Sequence, residues 1–141
     1  MADPTFTLAI LTPSREEFAG QVSSLVVPGA EGYLGILAHH APLITPLAAG
    51  NLELRFPDGR SALYYVSGGF LEVSRNKAIV LADSLEPAAE IDRAAAEAAV
   101  IAARTTRREA TAPIAVEEAE QELARARARL RAARRQRGEL H

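Results

Sequence analysis

Leu52-Glu53-Leu54-Arg55-Phe56, followed at once by Pro57-Asp58-Gly59, is the stretch on which the fold of this chain turns. Leu52, Leu54 and Phe56 recur at every second residue, so an extended backbone puts them on one face and Glu53 and Arg55 on the other. Pro, Asp and Gly then supply the preset φ, the local hydrogen bond and the positive φ of a tight turn. The same unit recurs on both sides. Short apolar runs lie at 6–11, 21–27, 33–37, 43–47, 51–56, 62–66, 70–73 and 78–82. Between them stand Pro13-Ser14, Gly29-Ala30-Glu31-Gly32, Gly68-Gly69 and Ser74-Arg75-Asn76. Turn chemistry at intervals of about 8–12 residues predicts an all-β sandwich or barrel. Eight of the nine glycines lie in this half, where a chain that reverses often needs φ > 0.

Beyond Glu86-Pro87 the period changes. No glycine follows until Gly138, and alanine dominates. Ile91, Ala94, Ala98, Ile101 and Thr105 fall at three- and four-residue spacing, as do Val116, Ala119, Leu123, Ala126, Leu130 and Ala133. Each set predicts a helix seam. Asp92 occupies an N-cap position, with Ile91 and Ala96 placed as a weak hydrophobic staple. Residues 105–113, with their threonines and Pro113, suit a connector, and two helices joined so closely form an antiparallel hairpin. The chain thus divides into a β module over 1–87 and a helical hairpin over 88–141, an α+β organisation in two pieces. Half of each seam is alanine, which buries little beside the roughly 1.5–3 kcal/mol of each leucine. The hairpin is therefore expected to be marginal alone, to lean on another surface, and to be able to leave it.

At 141 residues the chain suits one compact domain with an appendage and is too short for two full-sized domains. No run approaches the roughly 18 apolar residues of a membrane span, and Met1-Ala2-Asp3-Pro4 does not read as a signal peptide. Without cysteine there is neither a disulfide framework nor a thiolate metal site, so a reducing, cytosolic setting is expected. With no Trp, four Phe and three Tyr, the core must be filled by Val, Leu, Ile and Ala. The net charge of −2 conceals an asymmetry. Residues 1–87 hold five bases against nine acids, and residues 88–141 hold eleven arginines against nine acids. Such a division suggests that each half meets a different partner.

Catalytic chemistry is missing. Lys77 is the only lysine and no P-loop motif surrounds it. Gly29-x-x-Gly32-x-x-Gly35 lies between strands with no helix after it, so turn glycines explain it better than a dinucleotide site. Of the three histidines, His39 and His40 are adjacent, and on an extended segment would point to opposite faces; with His141 they make no metal site. No nucleophile–base motif is present. In the second helix Glu117, Glu118, Glu120 and Glu122 precede Arg125, Arg127, Arg129, Arg131, Arg134, Arg135 and Arg137, an order that complements the helix dipole. The arginines can form a solvated face or meet an acidic protein. The acidic first half and the lack of nearby aromatics argue against nucleic acid. A β-sandwich with a dimerising coiled-coil tail is the competing organisation, disfavoured because its seam positions require larger apolar residues.

Three segments, in order, resemble one family. Val26-Val27-Pro28-Gly29-Ala30-Glu31-Gly32-Tyr33-Leu34-Gly35-Ile36-Leu37-Ala38-His39-His40-Ala41-Pro42-Leu43 resembles the (P/T)G-x-EG-x-LG-(I/V)-x-x-x-HAPL segment of the bacterial F-type ATP synthase epsilon subunit family. Tyr65-Val66-Ser67-Gly68-Gly69-Phe70-Leu71-Glu72-Val73 resembles its second hallmark, and Val80-Leu81-Ala82-Asp83 followed by Ile91-Asp92 its third. The resemblance covers essentially the whole chain. It implies a flattened antiparallel β-sandwich with a helical hairpin, and a non-catalytic role on the central rotor stalk. There the family grips the gamma subunit and touches the c-ring, with the alpha and beta subunits as catalytic partners. It also implies a peripheral place on the cytoplasmic face of the bacterial plasma membrane, reached only through the complex.

Residue roles follow from the same resemblance. Glu31, Gly32, Tyr33 and His40 correspond to the edge facing the c-ring, with Tyr33 standing where the family often carries an acid. In the family the hairpin can extend toward acidic loops of the beta subunits. Arg127, Arg131, Arg134 and Arg135 would there oppose ATP hydrolysis through charge-assisted contacts. No cofactor is required, but some members bind regulatory ATP through an I-D-x-x-R-A motif and two arginines of the second helix. Ile91, Asp92, Arg125 and Arg129 match, with Asp92 meeting the adenine edge and the arginines the phosphates. Ala95 stands at the motif's arginine, and Arg93 lies about 200° around the helix from it. The alternative is that Asp92 is only a helix cap.

Overall fold

The computed structural model describes residues 3–138; Met1, Ala2 and residues 139–141, His141 among them, lie outside the described residues. Ten strands come first: β1 (Phe6–Leu11), β2 (Glu16–Val22), β3 (Ser24–Gly29), β4 (Gly32–Leu37), β5 (Leu43–Leu47), β6 (Gly50–Arg55), β7 (Ser61–Val66), β8 (Gly69–Ser74), β9 (Lys77–Ala82) and β10 (Leu85–Pro87). A 3₁₀ turn (Ala88–Glu90) leads to α1 (Arg93–Glu109) and α2 (Pro113–Gln136). The strands are hydrogen-bonded in the order β10-β7-β6-β3-β5-β8-β9-β1-β2, with β4 on the other side of β3.

β3 makes this sheet a sandwich. Its residues Ser24, Leu25 and Val26 pair with β6, whereas Gly29 pairs with Leu47 of β5, so the strand passes from one layer to the other. Pro28, which has no N–H to give to a ladder, stands at that passage. Between the layers lie Leu8, Ile10, Leu25, Val27, Leu52, Leu54, Leu71 and Val80, all fully buried. Leu52 and Leu54 thus face inward and Glu53 and Arg55 outward, as their alternation predicts.

Four details depart from the sequence expectations. The run 21–27 is not one strand. Ser23 breaks it, its N–H and Oγ both donating to the Arg55 carbonyl at 2.8 and 3.1 Å. β2 instead runs back to Glu16 as the partner of β1. The sandwich is not wholly antiparallel, since β1 lies parallel to β9. β10, at three residues, is too short for alternation to reveal. At the β7–β8 turn the glycines do what the sequence asked: Gly69 has φ +139°, and a Cβ there would collide with the Leu81 carbonyl.

The helices start and stop by local chemistry. Asp92 caps α1, its Oδ1 accepting the Ala95 N–H at 3.1 Å, and Ile91 and Ala96 are buried in one cluster. Thr105 and Thr106, read as connector, lie inside α1, where their hydroxyls donate to the Ile101 and Ala102 carbonyls one turn back. The connector shrinks to 110–112, and Pro113 takes the first position of α2, where its missing N–H costs nothing. The seam of α2 is as expected, with Ala119, Leu123, Ala126, Leu130 and Ala133 buried. That of α1 is not: Ala94, Ala98, Ile101 and Thr105 face solvent, while Ala96, Val100 and Ala103 are buried. α2 also buries a second face, Ala128 and Ala132, in the cluster that holds Tyr65, Leu63 and Ala49 of the sandwich. It is therefore a middle layer, with α1 on one side and β6 and β7 on the other.

Candidate functional surfaces

Three features of this architecture can carry function: the contact between α2 and the sandwich, the turn at Glu31, and the sheet face that no helix covers. The first joins the acidic half to the basic half. Glu86 of β10 accepts from Nε and a terminal nitrogen of Arg129 at 2.8 and 3.1 Å. Glu53 of β6 accepts from Arg135 at 3.1 Å. The Glu86 hydrogen bond holds the Arg129 pKa above its ordinary value against the opposing effect of burial, and the charges of Glu86, Tyr65 and Asp92 add to it. Burial raises the pKa of the nearby Tyr65 hydroxyl, although Arg125 and Arg129 pull it down.

This contact gathers the residues of the implied ATP site and already occupies them. Ile91 is buried in the helix–sandwich cluster, Asp92 caps α1, Arg125 pairs with Glu122 at 2.9 Å, and Arg129 is held by Glu86. Of the four arginines assigned to the beta subunits, Arg127 and Arg131 are exposed. Arg135 is engaged with Glu53, and Arg134 lies 3.8 Å from Glu97 of α1. Sequence reasoning missed Glu53, Glu86 and Tyr65. The available signal was the charge asymmetry, which the chain satisfies partly within itself.

The edge implied to face the c-ring is divided. Glu31 and Gly32 form the turn between β3 and β4, where Gly32 has φ +136°. Tyr33 does not project from that turn. Its ring folds back across the sandwich, and its hydroxyl accepts the Asn51 N–H at 3.0 Å above Gly50. His40 lies beyond the far end of β4, its Nδ1 donating to the Ala41 carbonyl at 2.7 Å. Six strand residues, about 20 Å, separate it from Glu31. Nor are His39 and His40 on an extended segment: His39 has φ +64° in a turn, its N–H donating to Asn76 Oδ1 at 2.8 Å.

The third feature is an apolar sheet face. One outer face of the sandwich lies under α2; among the described residues no helix covers the other. On it the strand register aligns Pro46, Phe70, Leu81 and Leu11 in one cross-strand row and Ile44, Glu72, Ile79 and Ala9 in the next. Ile44 is 74% exposed, Phe70 55% and Leu81 50%, with Glu72 as the single charge in the two rows from β5 to β1; on β2 the first row ends at Glu16, the partner of Leu11.

Comparison with known proteins agrees with the fold and identifies the family. The β-sandwich domain of the ATP synthase Delta/Epsilon chain matches residues 5–88. The ATP synthase epsilon chain of Moorella thermoacetica is 43% identical over 129 residues, covering 92% of this chain and 96% of that one. That of Nitrosococcus oceani is 40% identical over 136 residues, covering 96% and 97%. In fold, a chain of the Euglena gracilis mitochondrial ATP synthase, solved as OSCP/F1/c-ring, superposes with a TM-score of 0.83 at 24% identity, covering 94% of this chain and 84% of that one. Since the match runs through the sandwich and, in the bacterial relatives, through the hairpin as well, the chain belongs to the ATP synthase delta/epsilon family, as an epsilon chain and not a catalytic subunit.

Proposed function

We propose that the chain couples gamma to the c-ring in a proton-translocating F-type ATP synthase and restrains ATP hydrolysis through its hairpin. The observation that carries this reading is the bare apolar face around Ile44, Phe70 and Leu81. A contiguous apolar face on a protein otherwise rich in charge is an interaction surface, and gamma is its proposed occupant. The turn at Glu31 and Gly32 is the segment offered to the c-ring. Tyr33 supports that turn from behind, and His40 lies too far along β4 to share the same contact. The alpha and beta subunits of the head are reached by the hairpin. Arg127 and Arg131 are exposed for this in the docked form, and Arg134 and Arg135 become available once Glu97 and Glu53 release them. The alanine-rich layers on both faces of α2 make that release inexpensive. Attachment to the cytoplasmic face of the bacterial plasma membrane is through the complex, and no helix among the described residues is long and apolar enough to cross it.

Copurification tests the reading. The full chain carrying Ile44→Glu and Phe70→Glu should keep its circular dichroism spectrum, because both side chains are exposed, and should no longer be captured by gamma. Undiminished capture would remove the apolar face from the proposal. Deletion of residues 114–141 should raise ATP hydrolysis by the assembled complex while synthesis changes less; unchanged hydrolysis would make the hairpin a strut.

A further inference from the structure

β4 ends the sheet with an unguarded edge. It pairs with β3 along its length and with no other strand among the described residues, so one row of its backbone N–H and C=O groups has no partner strand; only at the end of that row does a turn intervene, the Leu37 carbonyl accepting the His40 N–H at 3.2 Å. Natural sheets protect such edges with charge, proline, shortness or a covering element. The strands at the two ends of the hydrogen-bonded order do so: β2 carries Glu16 and Glu17, and β10 has three residues, one of them Pro87, with Arg129 of α2 beside it. Among the described residues β4 has none of these devices. Gly32-Tyr33-Leu34-Gly35-Ile36-Leu37 contains neither a charge nor a proline over six residues. Its side chains also leave the edge clear. The Tyr33 ring is tied back to Asn51, and no atom lies within 4 Å of where a Gly35 Cβ would stand.

We propose that β4 pairs antiparallel with β4 of a second copy of this chain, across a twofold axis at Gly35, so that the free chain dimerises by extending its sheet. The sequence is self-complementary in that register. Tyr33 falls opposite Leu37 of the other copy, Leu34 opposite Ile36, and Gly35 opposite Gly35. Like charges directly opposed would weaken such a ladder, and here there are none. Beyond the strand ends the register brings Glu31 toward His39 of the other copy, an acid toward a base. Six residues a side bury less than the roughly 1,200–2,000 Å² of a stable interface. The dimer is therefore weak and dissociates when another partner takes the edge. Because Glu31 and Gly32 continue that edge, dimerisation and docking through this turn exclude each other. The inference rests on the topology of β4 and stands whether or not gamma binds the apolar face.

The absence of cysteine from the chain gives a direct test. In the proposed pair the two Gly35 Cα atoms are directly opposed, within the roughly 4.4–6.8 Å that a disulfide spans. The full chain with Gly35→Cys should oxidise to a covalent dimer at least tenfold faster than one with Ala98→Cys, a position exposed on α1. The unmodified chain should sediment with a mass that rises from monomer toward dimer between about 10 μM and 1 mM. Leu37→Lys, which adds a charge to the edge at an exposed position, should weaken that association at least tenfold. A monomer mass throughout the range, equal oxidation rates at positions 35 and 98, or association indifferent to Leu37→Lys would each overturn the proposal. The mass measurement needs no variant, so it decides even if the Gly35→Cys chain folds poorly.

Discussion

Glu86 holds two nitrogens of Arg129, so an anion seeking that edge of the guanidinium must first displace a carboxylate, and one that does not is left the remaining N–H groups beside that negative charge. ATP at this site meets a second handicap in Ala95, which offers nothing to a phosphate. We therefore expect binding at about millimolar or weaker, and expect Ala95→Arg to tighten it. One charge-assisted hydrogen bond is worth about 1.5–3 kcal/mol, or one to two decades of affinity. Calorimetry of the two chains with ATP checks this, and no gain in the arginine variant would remove ATP from these residues. Asp92 carries a separate expectation as a cap. Asp92→Ala should cost about 1 kcal/mol in denaturant unfolding, and Asp92→Asn far less, because asparagine offers an equivalent acceptor. A cap is legible in sequence because its partner, Ala95, is three residues away. Tyr33–Asn51, Arg129–Glu86 and Arg135–Glu53 were not, since they join residues 18, 43 and 82 apart. Only the folded register brings those groups together.

Among the elements, strands with strict alternation were readable and those with mixed pattern were not. β6 shows its inward leucines directly. The run across Ser23 hides a break, because a buried serine bonded to the Arg55 carbonyl breaks no hydrophobic pattern. The helices divide in the same way. The leucines of α2 mark its seam, whereas α1 has alanine on nearly every side, so two stripes fit its periodicity almost equally. Packing chose the one containing Val100 and left Ile101 63% exposed. This choice makes a prediction that separates neighbouring residues. Val100→Ala removes two buried methyl groups at the α1–α2 contact and should destabilise the chain by about 2 kcal/mol. Ile101→Ala removes a larger side chain from solvent and should change stability by less than about 0.5 kcal/mol. Urea unfolding of both variants reads the difference. A larger loss at Ile101 than at Val100 would restore the stripe Ala94, Ala98, Ile101 and Thr105 as the seam.

For the whole molecule, the charge asymmetry that suggested two separate partners has an internal use, because acids of the sandwich hold arginines of α2. The docked hairpin therefore rests on a thin apolar layer and two ion pairs, and the pairs should set how often it opens. Each pair is about one-third exposed, Arg129 and Glu86 at 31% and 33%, Arg135 and Glu53 at 33% and 26%, so each is held to about 1 kcal/mol after solvent screening. Removing both by Glu53→Gln and Glu86→Gln should shift the docking equilibrium by about 2 kcal/mol, roughly 30-fold. The glutamines keep the shape and some hydrogen bonding, so the fold of the sandwich should survive. A cysteine placed at Ala128, which is 2% exposed on the face of α2 turned to the sandwich, would report opening through its rate of labelling by a thiol reagent. With opening and closing fast relative to labelling, that rate is proportional to the open population. The double glutamine variant should label about 30-fold faster at low salt, and the advantage should shrink in 1 M salt, where the screening length falls to about 3 Å and weakens the pairs of the parent chain as well. Labelling that ignores both the substitutions and the salt would mean that Tyr65, Leu63 and the alanines of α2 hold the hairpin by themselves. The arginines would then be held ready for another subunit without gating their own release.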